Sequence, residues 1–247
     1  VIVITTKKGQ EGAMHIDLDI KQGFTTIAPN NFSFCNAQQT ADLYAQGLVN
    51  SNPEKYTYES AMAKIKSDYN WDGIQNYDWI DAITRTGYYQ DYNLSFSGGN
   101  GKTRYYASVG YLNQEGVAIN SGMKRYSARL NLETSYKWFN FGFNTSFALA
   151  DMDAFSQSTG GSYSNPFVGG TLKATPLDPF YNADGSYNTG IMYNPLAVYD
   201  KDEGDIYNTK TTTINLNPYF AINFGKGIVL KTSLGLNSYG TRQYDFW

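Results

Sequence analysis

Apolar and polar residues alternate along stretch after stretch of this chain, and each stretch holds its phase for about ten residues. In residues 139–151, Phe139, Phe141, Phe143, Phe147 and Leu149 alternate with Asn140, Gly142, Asn144, Ser146, Ala148 and Ala150. Successive side chains of a strand point to opposite faces, so the pattern predicts a strand with one apolar and one polar face. Residues 14–26 set Met14, Ile16, Leu18 and Ile20 against His15, Asp17, Asp19 and Lys21. Around the turn "SGGNGK", Tyr92, Leu94 and Phe96 oppose Asn93, Ser95 and Ser97, and Tyr105, Ala107, Val109 and Tyr111 oppose Arg104, Tyr106, Ser108 and Gly110. Further strands are predicted at 124–135 (Tyr126, Ala128, Leu130, Leu132), at 207–224 (Ile214, Leu216, Phe220, Ile222, Phe224) and from Ile228 onward (Leu230, Leu234, Leu236). That makes seven alternating strands after an opening apolar run.

Alternation alone fits a soluble sandwich as well as a membrane barrel, and three further features separate them. The strands are long enough to cross a bilayer at a tilt, which takes about 9–11 residues, whereas globular strands are typically about 5–6. Their polar faces carry Asn, Ser, Thr, Gly and Tyr rather than dense Lys and Glu, as a wet interior does. Only 17% of the residues are charged, against 16% aromatic and 22 Tyr. The connections also alternate. Short ones fall near 97–102, 136–138 and 225–227, and long ones at 27–87, 114–123 and 152–206, as in outer-membrane barrels with tight periplasmic turns and long outer loops. The glycines of the first short turn are expected to supply positive φ values. No run of about 18 apolar residues exists for a spanning helix. The predicted fold is therefore all-β, an antiparallel transmembrane β-barrel of which this chain supplies about seven strands, with short helices in the outer loops.

Other function classes find little support. A net charge of −3 and a pI near 5.2 give no basic footprint for nucleic acid. The single cysteine, Cys35, can form neither an internal disulfide nor a thiolate metal cluster. His15 is the sole histidine, and its place on a polar strand face suits a hydrated or hydrogen-bonded role better than a general base. "DKDEGD" at 200–205 lacks the ligand spacing of a calcium loop and reads as a solvated acidic stretch. Asp17 and Asp19 share one strand face and suit a polar lumen rather than a glycosidase pair. No catalytic, metal or cofactor-binding residue is predicted, and no substrate-binding residue can be singled out.

In the first long connection, 36–51 and 58–67 read as short amphipathic helices, with Leu43, Leu48, Ala61 and Ile65 as packing positions. Trp71 and Trp79 follow, either as internal packing of a large loop, the favoured reading, or as a platform for sugars or a partner. The Pro-, Gly-, Asn- and Tyr-rich segment 164–200 is expected to be an ordered loop, since so many aromatic rings are costly to leave unpacked.

Several segments, in order, resemble the SusC/RagA-type TonB-dependent transporters of the Bacteroidetes outer membrane. "VIVITTKKG" at the start resembles the last plug strand leading into the barrel, and "DWIDAITRTG", "YNLSFSGGNGKTRYYASVGYLNQEG" and "KRYSARLNLE" resemble the early barrel. The resemblance implies that residues 1–9 end a plug domain and that 10–247 begin a plugged barrel of about 22 strands, so that both ends read as internal to a longer chain. It implies energy-coupled import of oligosaccharides, or peptides, across the outer membrane. The implied partners are a SusD-like lipoprotein lid, the TonB–ExbB–ExbD complex and outer-membrane lipid, with a possible dimer of transporter–lid pairs. The alternative is a passive porin or adhesin barrel. No enzymatic activity and no cofactor are implied.

Overall fold

The computed structural model describes residues 9–28, 33–154, 173–190, 194–198, 200, 204 and 206–246. Strand β1 (Gly12–Thr25) leads into a connection holding helices α1 (Ala37–Ser51), α2 (Tyr58–Asp68) and α3 (Trp79–Ile83). Strands β2 (Gly87–Gly99), β3 (Thr103–Glu115), β4 (Gly122–Tyr136) and β5 (Phe139–Ala154) follow. A short helix, α4 (Pro195–Val198), then precedes β6 (Ile206–Gly225), β7 (Ile228–Ser233) and β8 (Leu236–Phe246). Neighbours in sequence are neighbours in one antiparallel sheet, ordered β1 to β7, with β8 also paired to β6. The opening apolar run, residues 1–8, lies outside the described residues.

One register runs through the sheet and keeps every predicted face in phase. Leu18 is partnered by Leu94, and the row continues through Val109, Ala128, Phe147 and Ile214. One residue along, Asp19, Asn93, Gly110, Ser127, Ala148 and Thr213 make the matching row of the opposite face. Among the described residues no layer covers the apolar face: Leu18 is 63% exposed and Val109 54%. A soluble sheet of this width would bury that face, and here most fully buried apolar side chains lie in the connections instead.

The apolar face is bounded at both ends. A row of Gln22, Gln90, Asn113, Lys124, Asp151, Lys210 and Arg242 crosses it at the long-connection end. Beneath it lie Tyr92, Tyr111 and Tyr126, with ring centroids 6.3 Å and 5.2 Å apart in turn. Tyr136, Trp138 and Phe139 gather at the short-turn end. Along β4, Tyr126 and Tyr136 share a face ten residues apart, about 33 Å of strand.

The register also gives the tilt. The last pair of the β2–β3 hairpin, Gly99 and Arg104, continues to Glu133 on β4, but the β4–β5 turn closes at Tyr136. That turn continues in the same way to Ile222 on β6, whereas the β6–β7 turn closes at Gly225. Each turn thus lies three residues beyond the one before. A shift of about 10 Å for every two strands, themselves about 9.6 Å across, levels the turns when the strands tilt by about 45°. At that tilt the two tyrosine girdles stand close to the ~25 Å height of a lipid-facing band.

Four expectations are corrected. The last predicted strand is divided into β7 and β8, although both keep one register on β6. Leu234 N–H donates to the Pro218 carbonyl (3.0 Å), but Pro218 has no N–H to return, so the ladder lapses at that pair. The first short turn uses no positive φ, whereas the β4–β5 and β6–β7 turns use it at Lys137 and at Gly225, Lys226 and Gly227. Glycine is needed at Gly99 for close approach, since a Cβ would meet the Thr103 carbonyl oxygen at 2.6 Å, and Gly98 lies close under the Tyr105 hydroxyl. The 114–123 connection is short, because β3 runs to Glu115 and β4 starts at Gly122. Finally, α1 packs through Ala37, Ala41 and Ala45 and leaves Leu43 63% exposed. Two residues from Ala41 is about 200° around a helix, so Leu43 necessarily points away from that stripe.

Replacing Phe143, midway along the apolar face of β5, with Arg is expected to cost about 2–4 kcal/mol of barrel stability in lipid, and replacing Asn144 with Arg much less. Denaturant titration of each full-length variant refolded into vesicles measures the difference; equal costs at the two positions would mean that the face is not in lipid.

Candidate functional site

The polar face is a shallow trough whose charges are sorted by strand. β1 contributes His15, Asp17 and Asp19 to a concavity of ≈ 670 Å³ shared with Asn93, Ser95 and Tyr106. Lys21 neutralises part of this acid, lying 3.1 Å from Asp19 and 4.0 Å from Asp91. Across β3 and β4 a second concavity of ≈ 330 Å³ carries Arg125 and Arg129 amid Asn93, Ser108, Ser127, Ser146 and Asn215. Its floor is hydrogen-bonded, with Asn215 donating to the Ser146 hydroxyl at 3.0 Å. At the short-turn end the backbone of Gly9 lies in a crevice with Arg104, Asn131, Glu133, Asn144 and Tyr219, all residues of the polar face.

The long connections interlock above the sheet. Helix α1 begins with a reciprocal cap: Asn36 Oδ1 accepts from Gln39 N–H (2.9 Å), and Asn36 N–H donates back to Gln39 Oε1 (3.0 Å). Thr57 and Ser60 cap α2 in the same manner. The alanine stripe of α1 then packs with Ile65, Trp71 and Leu177, so a residue of the second large connection completes the core of the first. Burial pushes the Tyr69 hydroxyl beside this core up to about 12. Trp79 Nε1–H donates to the carbonyls of Thr175 (3.1 Å) and Asp178 (3.2 Å), and its ring meets Phe180 edge-on at 4.8 Å. Tyr77 N–H donates to Pro176 (3.0 Å). The Asp72 carboxylate, which accepts from the backbone of Gln75 and Ile74, is held below its ordinary value by those bonds and fixes the turn after Trp71.

The six-residue connection 116–121 joins the same assembly. Arg85 grips it through the carbonyls of Gly116 (3.3 Å) and Ser121 (3.0 Å), Arg85 N–H donates to Val117, and Ile83 and Ala118 form a second small core with Leu196 of α4. Within 173–190, Asn182, Asp184 and Ser186 close a tight turn.

Trp71 and Trp79, only 4% and 3% exposed, therefore serve as internal packing. Ala61 and Ile65 are buried and Leu48 packs beside them, as the periodicity suggests. His15, Asp17 and Asp19 all face the trough. Most of "DKDEGD" (201–203 and 205) and the first part of the 164–200 segment lie outside the described residues, whereas 173–190 is ordered as expected. Cys35 is an exposed thiol. Among the described residues no group of His, Cys, Asp or Glu is arranged to hold a metal. The sequence reading passed over the arginine pair on β4 and the Arg85 clamp. Phase marks Arg125 and Arg129 as polar-face residues, but only cross-strand register shows that their neighbours are uncharged.

Comparison with known proteins gives a consistent picture. No family model matches the chain. A TonB-dependent receptor P3 of Formosa agariphila is 29% identical over 98% of this chain and 23% of its own length. The TonB-dependent receptor SusC of Bacteroides thetaiotaomicron is 29% identical over 76% of this chain and 17% of its own. The TonB-dependent receptor P26 of Formosa agariphila is 32% identical over 76% of this chain and 18% of its own. Among solved structures, the RagAB peptide transporter superposes with a TM-score of 0.72 at 25% identity, covering 96% of this chain and 29% of that one. The closed-closed RagAB peptide importer gives 0.72 at 23%. The chain thus spans about a quarter or less of the curated relatives it matches.

Because Trp79 fills the joint between the two large connections, Trp79→Ala is expected to cost the local docking about 3–5 kcal/mol. Limited proteolysis should then cut within 173–190 while hydrogen exchange in β2 to β5 stays slow; unchanged resistance in that segment would remove Trp79 from this role.

Proposed function

Given that the chain belongs to the SusC/RagA type of TonB-dependent receptors, we propose that it forms part of the wall of an outer-membrane barrel that imports oligosaccharides or peptides with energy delivered through TonB. One observation carries the reading: a single tilted sheet with an uncovered apolar face bounded by aromatic girdles and, behind it, a hydrated polar trough. Among the described residues the outer edges of β1 and of the β7–β8 line have no strand partner, which fits a closed wall, because long open edges are liable to aggregate and closure removes them. Residues 10–247 are assigned to the first part of the barrel and 1–9 to the exit from a plug. The position of Gly9 against the polar face supports an entry from inside the barrel.

In this orientation the tight turns face the periplasm and the interlocked connections face outward. A SusD-like lipoprotein would then meet the α1–α2 and 173–190 assembly, and substrate would pass beneath it into the trough. The relatives are named as receptors and importers rather than enzymes, and the solved neighbours are described as peptide importers, so peptides stand beside oligosaccharides as cargo. Coupled import is preferred to a passive porin or adhesin on the same grounds.

Deleting 173–190 from the full-length protein is expected to reduce nutrient uptake and co-purification of the lipoprotein while leaving barrel assembly intact, since surface deletions disturb strand pairing little. Lengthening the 99–103 turn should instead lower the amount of folded barrel. Uptake by the unaltered protein should also vanish in cells lacking TonB. Uptake independent of TonB would overturn the coupled reading, and normal uptake after the loop deletion, with failed docking after the turn insertion, would invert the topology.

A further inference from the structure

Among the described residues, the basic half of the trough has no counter-charge. Arg85 and Arg104 have oxygen partners, but among the described residues neither Arg125 nor Arg129 forms a hydrogen bond or ion pair. Their cross-strand partners are neutral: Leu112 and Ala150 flank Arg125, and Ser108 and Ser146 flank Arg129. Asp91, two strands away on the Arg125 row, lies against Lys21, and Glu133, further down β4, binds the Tyr219 hydroxyl. Two guanidinium groups thus stand along one strand, their backbones about 13 Å apart, above a floor of hydroxyl and amide groups. Unneutralised cations in a concave wall concentrate anions, and a guanidinium holds carboxylate or sulfate through paired hydrogen bonds.

The geometry points to a two-station anion path: Arg125 and Arg129 successively hold the carboxylate or sulfate groups of an acidic oligosaccharide moving along the polar face. This deepens the import reading and rests on it. Backbones about 13 Å apart give the two guanidinium groups room to hold separate charges of one oligomer. The floor of Ser108, Ser127, Ser146, Asn93 and Asn215 offers hydrogen bonds to sugar hydroxyls. The chain's own backbone occupies a different place. Gly9 lies against β3 at the short-turn end, where a Cβ would fall 2.2 Å from the Tyr105 carbonyl oxygen, and the arginines lie towards the long connections.

The test uses the full-length transporter and measures binding of fluorescent tetragalacturonate, maltotetraose and tetraglutamate at low and high salt, alongside TonB-dependent growth on the natural nutrient. Tetragalacturonate should bind in a salt-sensitive manner, and Arg125→Gln with Arg129→Gln should weaken it about tenfold or more, as expected for loss of charge-assisted bonds. Arg→Lys at both sites should recover part of the loss, and maltotetraose binding should not change. Absence of tetragalacturonate binding, equal losses for charged and neutral sugars, or a loss confined to tetraglutamate would each overturn the proposal. So would a fall in thermal stability with sugar binding intact, which would show that the arginines hold a carboxylate of the protein itself. Import would survive any of these results, because growth of the unaltered strain reports on it separately.

Discussion

A strand in hydrocarbon has no water to satisfy its backbone, so each N–H and C=O must find a partner on the neighbouring strand. That requirement organises the rest of this structure. It demands long uninterrupted ladders, and the ladders fix a register that puts Leu18, Leu94, Val109, Ala128, Phe147 and Ile214 on one side without exception. A one-residue slip anywhere would exchange the two faces of every strand beyond it. Register shifts occur near the ends of the ladders, between Gly12 and His15 and between Asn223 and Gly225, and a lapse within the sheet leaves the register untouched. At Pro218 a single donor is missing, yet the carbonyl still binds Leu234 N–H and the register resumes unchanged at Leu236.

The same period-two rule explains what was legible in the sequence. Faces of strands follow from phase alone, so Phe141 against Asn140 could be read directly, and so could the capped helices with Asn36 and Thr57 at their starts. What escaped reading depended on partners distant in sequence. Leu43 is a stronger hydrophobe than Ala41 or Ala45, but the helix packs on its small side because Leu177 and Trp71 approach closely there. The 116–121 connection looks longer in sequence than it is, since Gln114 and Met123 give no sign that they pair. The arginine pair was visible as residues, while its lack of counter-charge became apparent only once Ser108 and Ser146 were placed beside Arg129.

Wall and cap are held by different physics. The wall has no core of its own and relies on backbone pairing and the solvent on its outer face. The cap is a small globular assembly in water, with capping boxes, an alanine stripe and buried tryptophans whose indole N–H groups are satisfied by carbonyls. Arg85 lies where the two meet, two residues past Ile83 of the small core and two before β2 begins, so its grip on Gly116 and Ser121 carries cap geometry into the hairpin register.

Tilt separates in height what register places in one row. Asp17 and Arg129 share one row of partners, through Ser95 and Ser108. Three strands of about 4.8 Å at a tilt near 45° place them about 10 Å apart in height, with the arginine nearer the long connections. Levels across the wall therefore run diagonally to the rows. Lys21 and Asp91, rather than Asp17, lie near the level of Arg129, and they are occupied with one another. Asp17 is thus offset from Arg129 in height as well as in strand, and Asp91, near the level of the arginine, lies against Lys21. The stagger that closes a tilted sheet into a barrel also keeps the arginines clear of the acids that would otherwise neutralise them.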